Sequence, residues 1–356
     1  MKEILNLTGY EYRKIFKKRS TWIALAVVLL WTLFSGFSGA FGEFYIDGEK
    51  VDTHFHMAKQ ERAALEHLEI GALNDEFFQK MKGAQAEFYQ GEDGFCLNGP
   101  PEGGWAAYWK RYYEANAPFE NVSVLLAMME NRLGSLPREE INGTNFYAFR
   151  ERMMDALFAA EKLSEGEIAF HKKENEKITT PYAYGNMTGY QNFFKMQTPN
   201  FIFIAFAVAI VLAPMFAGEH DSHMDALALS SRFGRNKLIW AKFLAGLSFA
   251  FFASVGFTLL FLLEIQAIYG LSGWNLPIQV CASGFLLNLP MNMLEFLLVS
   301  IGCCVLGILM AATVVMFLSV KMKSAFGVII LSFVFILAPV YLAQLAGNHH
   351  GLFLLV

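Results

Sequence analysis

"MNMLEFLLVSIGCCVLGILMAATVVMFLSV", residues Met291–Val320, holds one charged side chain, Glu295. A helix needs about 20 predominantly apolar residues to cross the hydrocarbon core of a bilayer. This stretch exceeds that length without a break, and soluble proteins rarely bury a helix so long and so uncharged. Four further stretches read the same way: Thr21–Phe41, Phe201–Ala217, Leu238–Leu263 and Ser324–Leu345. Lys242 is the one charge inside them, and Glu264 stands just past the third. These five candidate spans predict an all-α integral membrane protein, a polytopic helical bundle.

Composition agrees. The chain has 356 residues, long enough for two or three soluble domains. Yet 55% of them are hydrophobic, 35 are Phe, and only 17% are charged. The N-terminus could pass for a secretory leader, with basic "YRKIFKKRS" ahead of apolar "TWIALAVVLLWTLFSGFSGAFG". Its apolar part runs from Thr21 to Phe41, beyond the roughly 7–15 residues of a leader's core, so a retained first span is expected. Cysteine is sparse, with no CxxC and no Cys/His zinc spacing.

Positive charge in short loops orients such a bundle. Lys2, Arg13, Lys14, Lys17, Lys18 and Arg19 precede the first span; Arg232, Arg235 and Lys237 follow the second; Lys321 and Lys323 follow the fourth. Residues 264–290 and 346–356 contain neither Lys nor Arg. The alternation puts the N-terminus in the cytoplasm, residues 42–200 outside the cell, and residues 218–237 back in the cytoplasm. The outer region carries 16 Lys and Arg against 25 Asp and Glu, whereas the whole chain is only −4.

Residues 42–200 read as a mainly helical extracellular domain. "HMAKQERAALEHLE" and "NFYAFRERMMDALFAAEKL" have helical spacing, the latter with Phe146, Phe149, Met153, Leu157 and Ala160 on one stripe. Ser164–Glu167 is a capping-box signature. Ahead of the second span, "TPYAYGNMTGYQNFFKMQTPN" crowds Tyr182, Tyr184, Tyr190, Phe193 and Phe194 together. That is either an interfacial aromatic belt or a rim meeting an amphiphilic substrate; on the second reading Tyr190 and Phe193 belong to a substrate path. Residues 264–290 are an outer loop, or a re-entrant helix around Pro277–Leu289. Glu264 and Glu295, acids at the edges of their spans, are the other path candidates. Glu295 also sits where a helix dipole favours an acid. Pro214, late in the second span, either hinges or passively kinks it.

The loop "FAGEHDSHMDALALSSRFGRNKLIWAKF", Phe216–Phe243, gathers histidines and acids before a basic run. Glu219, His220, His223 and Asp225 are conceivable metal ligands, but no spacing fixes a third strong ligand and HExxH is absent, so no metal is expected. The alternatives are a solvated loop holding orientation against anionic lipid and a short amphipathic docking helix. The docking helix has an acidic start that suits its dipole, with Leu227, Leu229 and Phe233 as apolar anchors.

In its sequence this loop resembles the intracellular loop of type 2 ATP-binding-cassette (ABC) exporter permeases, where an acid at the end of the second span precedes a coupling helix. Glu219, "LALSSRFGR" and Lys242 match in order and spacing. "EYRKIFKKRSTWI" is similar to that family's amphipathic elbow, "TPYAYGNMTGYQNFF" to the segment entering the second span, and "VMFLSVKMKSAFGVII" to the turn between the fourth and fifth. The family usually has six spans and this chain offers five, with "LAGNHHGLFLLV" standing where an outer loop or short helix would begin.

The resemblance implies a permease subunit of an ABC exporter. Its elbow, residues 1–20 with Glu11, Arg13, Lys14, Lys17, Lys18 and Arg19, and its coupling helix, residues 218–237 with Glu219, Asp225, Leu229, Arg232, Phe233, Arg235 and Lys237, would dock cytoplasmic ABC ATPase subunits. A second permease copy or a paralogue would complete it in the lipid bilayer. No GxxxxGK[ST] or GxSxG motif is present. The implied chain is therefore not an enzyme and binds no cofactor, with ATP and Mg in the partner, and nucleic acid plays no part. The acidic balance and the aromatics of the outer domain make an amphiphilic peptide, an antibiotic or a lipid-like molecule the candidate cargo. The rival class is a membrane receptor or sensor whose outer domain binds a ligand.

Overall fold

The structure, a computed structural model, describes residues 2–46, 48–66, 71–90, 96–97, 103–134, 140–224, 230 and 236–345. The chain divides into two compact units: Met1–Gly36 with Met196–Glu264 and Val299–Val356, and Phe37–Lys195 with Ile265–Leu298.

The first unit is an apolar helical bundle. Four helical stretches among the described residues are long and apolar enough to cross a membrane: Arg19–Ala40, Thr188–Asp221, Lys237–Ile268 and Met293–Lys321. A fifth apolar helix covers Ala325–Leu345. The second stretch forms the centre, because 61% of its most apolar window is buried, against 33% in each of the other three. Ala205, Ala209 and Ala213 are almost fully buried on it, and small side chains let neighbouring helices approach closely. The other helices turn Ile23, Leu30, Phe252, Leu263, Leu306 and Phe326 outward, each more than half exposed. Water would not tolerate so broad an apolar surface; acyl chains cover it.

The N-terminal helix, Lys2–Lys17, is amphipathic and buries Thr8, Glu11 and Ile15. Its last carbonyls have no partner within the helix. Two side chains from the next helix supply them: Thr21 Oγ1 donates to the Ile15 carbonyl at 2.7 Å and Trp22 Nε1 to that of Phe16 at 2.8 Å. These bonds fix the elbow turn at Lys18. The Tyr12 hydroxyl meets Ser248 Oγ at 2.7 Å, which ties the elbow to the third apolar helix.

The second apolar helix breaks at Pro214. Its α-helical part, Thr188–Leu212, gives way to a 3-10 turn over Ala213–Met215 and a short helix, Ala217–Asp221. Proline lacks an N–H and its ring disrupts the preceding helical turn, and inside a membrane the freed backbone groups need partners. Ser319 provides them: its Oγ accepts from the Phe216 and Ala217 N–H groups, both at 3.0 Å, and donates to the Ala213 carbonyl at 2.6 Å.

The second unit is mainly helical, with helices at His54–Glu66, Asp75–Ala86, Gly104–Asn116, Glu120–Leu133, Gly143–Ala160 and Glu165–Asn175. Among the described residues three two-stranded antiparallel ladders accompany them. Ser164 caps the last of these helices reciprocally with Glu167, as its spacing predicts. The stripe on Gly143–Ala160 differs in part from expectation. Phe146, Met153 and Leu157 are buried, but Arg150, Met154 and Phe158 complete the face instead of Phe149 and Ala160. Arg150 is 2% exposed. Its guanidinium donates to the Phe285 carbonyl at 2.9 Å, the Leu287 carbonyl at 3.2 Å and Asn175 Oδ1 at 2.7 Å. The stretch around Pro277–Leu289 is therefore no re-entrant helix. It forms two 3-10 turns, Ile278–Val280 and Ala282–Gly284, whose Ile278, Val280 and Phe285 are fully buried in this unit.

Candidate functional site

The charges that stand out against the apolar sequence meet at the Pro214 break. Glu219, on the short helix after it, has one oxygen 3.0 Å from Lys14 Nζ and the other 2.7 Å from Lys242 Nζ. Lys14 also pairs with Glu11 at 2.8 Å, one turn back on the elbow helix. Lys242 is 1% exposed. Besides Glu219, its ammonium meets the Met215 carbonyl at 2.7 Å and lies 4.8 Å from the centre of the Phe216 ring. A buried cation needs this much compensation, since its attraction to one carboxylate rarely offsets its desolvation.

The result is a clasp of Glu11, Lys14, Glu219 and Lys242 that links three elements: the elbow, the end of the second apolar helix and the start of the third. Burial by itself would pull the Lys14 ammonium down. Its hydrogen bonds to Glu11 and Glu219 outweigh that and hold it above the ordinary lysine value. Lys18 moves the other way, pulled down first by burial and then by Lys242. Nothing in this arrangement is suited to covalent chemistry. It is a joint whose charges keep three helices in register.

A family model for ABC-2 family transporter proteins matches residues 5–349. The chain belongs to that family. Membership makes it a multi-pass transmembrane permease of an ABC transporter, working in the membrane with ABC ATPase subunits. No curated protein and no solved structure matches the chain significantly.

In this ABC-2 permease the sequence candidates do not all come together. Glu11, Lys14 and Glu219 come together in the clasp, joined by Lys242, which the matching loop pattern had pointed to. Of the remaining elbow residues, Arg13 and Arg19 are exposed, with Arg13 over the Tyr10 ring at 5.5 Å. Lys17 and Lys18 border the same corner of the bundle. Lys237 pairs with Glu3 of the elbow helix. Asp225, Leu229, Arg232, Phe233 and Arg235, which carry most of the expected docking helix, lie outside the described residues.

The four path candidates separate. Tyr190 and Phe193 are 3% and 0% exposed, as are Tyr182 and Tyr184 at 2% each. All four are core side chains: Tyr190 and Phe193 are carried by the helix that begins at Thr188, and Tyr182 and Tyr184 lie ahead of it, Tyr184 on a short strand. Glu295 is exposed and closes a capping box: its carboxylate accepts from the Asn292 N–H at 3.0 Å, while Asn292 Oδ1 accepts from the Glu295 N–H at 2.9 Å. The pattern Asn-x-x-Glu was already visible in "NMLE".

Glu264 alone keeps the character of a site. It is 7% exposed, and neither carboxyl oxygen has a hydrogen-bond partner among the described residues. Gly36 of the first apolar helix packs against it so closely that a Cβ there would lie 2.2 Å from Glu264 Oε2. On that same helix Ser35 Oγ donates to Asn200 Oδ1 of the second at 3.0 Å, and Thr32 is 1% exposed. Sequence reasoning missed these hydroxyls and the amide, since single polar residues inside a span leave no periodic signal. Among the described residues no group of three or more His, Cys, Asp or Glu comes together that could hold a metal ion.

Proposed function

We propose that this ABC-2 permease is the membrane half of an exporter driven from its elbow end. Its N-terminus and residues 218–237 lie in the cytoplasm, and residues 42–200 lie outside the cell. ATP and Mg are handled by the partner ATPase, and a second permease copy or a paralogue completes the translocation path. The observation that carries this reading is Glu219 held between Lys14 and Lys242. The loop that follows Glu219 is the segment matched to the family's ATPase contact. Displacing it pulls on Glu219, and through two ion pairs that pull reaches both the elbow and the third apolar helix. The Pro214 break, mended by side chains and not by the helix's own ladder, is where the second helix bends. Glu264 is the intramembrane group that cargo meets. A buried carboxylate without a partner favours an amphiphile that carries positive charge.

Reconstitution with the partner ATPase in proteoliposomes tests the coupling. Glu219→Gln should lower the transport achieved per ATP hydrolysed by about 5- to 150-fold, the span of typical coupling free energies. Undiminished coupling in that variant would remove the clasp from the mechanism. Orientation is checked separately with His223→Cys in intact cells. Labelling of that cysteine from outside alone would place the loop on the wrong side and end the proposal.

A further inference from the structure

Beside the clasp, a cleft of about 530 Å³ opens between the elbow helix and the end of the second apolar helix. Its floor is apolar, formed by Ile15, Val211, Pro214 and Met215, and Lys17 and Lys18 stand on its border with the clasp residues. The charges do not balance. Among the described residues Lys14, Lys17, Lys18 and Lys242 have two carboxylates near them, Glu11 and Glu219, and both of these are committed to Lys14 and Lys242. Lys17 and Lys18 form no ion pair among the described residues. Lys18 is partly buried with Lys242 near it, and both its burial and that neighbour disfavour its charged form. A site with two surplus cations above an apolar floor is complementary to one kind of molecule: an anion that carries a hydrocarbon tail.

We propose that this cleft binds an anionic phospholipid, with its phosphate at Lys17 and Lys18 and the upper part of an acyl chain along Ile15, Val211 and Met215. The volume accommodates a headgroup and the start of one chain. The rest of the lipid continues over the outward apolar faces of the first helix, where Trp22 and Ile23 are 58% and 64% exposed. A free phosphate would satisfy the lysines but leave the apolar floor wet, so the lipid is the better fit. Bound there, the phosphate gives Lys18 a countercharge that is not already paired with another lysine, as Glu11 and Glu219 are. It leaves Glu219 to Lys14 and Lys242, and the clasp tightens in anionic membranes. The inference rests on the elbow lying at the bilayer surface and is independent of transport.

The test uses the full chain in nanodiscs of phosphatidylcholine containing 10 mol% phosphatidylglycerol. Lipids retained on release are counted by native mass spectrometry, and affinity is read with a fluorescent phosphatidylglycerol. Wild type should retain phosphatidylglycerol in preference to phosphatidylcholine. Lys17→Ala combined with Lys18→Ala should weaken phosphatidylglycerol binding by about thirtyfold, the effect of two basic side chains near an anionic surface. Lys172→Ala combined with Lys173→Ala, which removes two lysines from the second unit, should leave binding unchanged. Thermal melting of each variant verifies folding. Equal retention of the two lipids by wild type overturns the proposal, and so does unchanged phosphatidylglycerol affinity in a folded Lys17/Lys18 variant. Displacement by millimolar inorganic phosphate would assign the site to a soluble anion and overturn the lipid assignment. None of these readings needs the ATPase, so failure here leaves the exporter reading standing, and failure of that reading leaves this one.

Discussion

Lys242 and Glu264 lie about six turns apart on one helix, Lys237–Ile268, and both are withdrawn from water, at 1% and 7% exposure. Their surroundings are opposite. The Lys242 ammonium has a carboxylate, a carbonyl and an aromatic face. The Glu264 carboxyl has the backbone of Gly36 against it and no hydrogen-bond partner among the described residues. Burial is common to both, so burial does not say what a charge is for. A buried charge with its partners in place is a strut, because every change nearby has to carry the partners along. A buried carboxyl without them is incomplete in this state and is completed by something that arrives, whether a proton or a cation.

The sharpest way to break this comparison is to strand the strut. Glu219→Gln leaves Lys242 buried without its carboxylate, and removing one partner of a buried pair costs about 3–5 kcal/mol. Lys242→Met should cost less, because Glu219 keeps Lys14. The double variant should then lose less than the sum of the singles, since the two residues contact each other. Chemical denaturation of the detergent-solubilised chain, read by circular dichroism, measures all three. Strict additivity would mean that the pair contributes nothing as a pair.

At Glu264 the expected sign is reversed. Glu264→Met removes a group that lacks partners and should stabilise the bundle by about 1–3 kcal/mol, while impairing any cargo that depends on the carboxylate. Gly36→Ala tests the same spot from the other side. Its Cβ would stand 2.2 Å from Glu264 Oε2, so overpacking should destabilise by about 1–3 kcal/mol. Adding Glu264→Ala should restore most of that loss. A destabilised Glu264→Met would show that the carboxyl is already satisfied, and the contrast with Lys242 would dissolve.

The long apolar helices were legible because the bilayer imposes one requirement, length without charge, that composition alone reveals. Their ends were less so. The second helix begins at Thr188 and not at Phe201, since aromatic residues serve an interface, a core and a helix equally well. Glu11, Lys14, Glu219 and Lys242 could be singled out as charges beside apolar runs and through a resemblance, but their joining depends on contacts between residues up to 205 positions apart. Arg150 escaped notice for a related reason. On a helix with an apolar stripe an arginine reads as solvated, and two of its three partners are carbonyls 135 and 137 positions away. Ser319 left no trace either. A hydroxyl in an apolar run becomes informative only when the proline break it serves, about a hundred residues earlier, is brought beside it.

The smallest effect concerns a half-buried acid outside the bundle, which shows how far the contrast extends. Glu61, on helix His54–Glu66, has its carboxyl pushed up to about 7, first by burial and then by the neighbouring Glu120. Burial raises Glu120 as well. Tyr113 and Tyr269 are also within electrostatic reach. The folded chain therefore keeps a proton that the unfolded chain releases near pH 4.5. Where the native state binds more protons than the unfolded one, stability falls as pH rises. The loss should run from about pH 4.5 to about pH 7 and then level off. Glu61 is only half-buried and water relaxes around its carboxylate, which holds the change to about 1 kcal/mol. Glu61→Gln cannot release a proton and should flatten that part of the profile, melting higher than wild type at pH 8 and equal to it at pH 4.5. Melting temperatures of both proteins between pH 4 and pH 8 decide the matter. If the two profiles run parallel, Glu61 titrates alike in the folded and unfolded chains, and it belongs with Lys242 as a satisfied charge and not with Glu264.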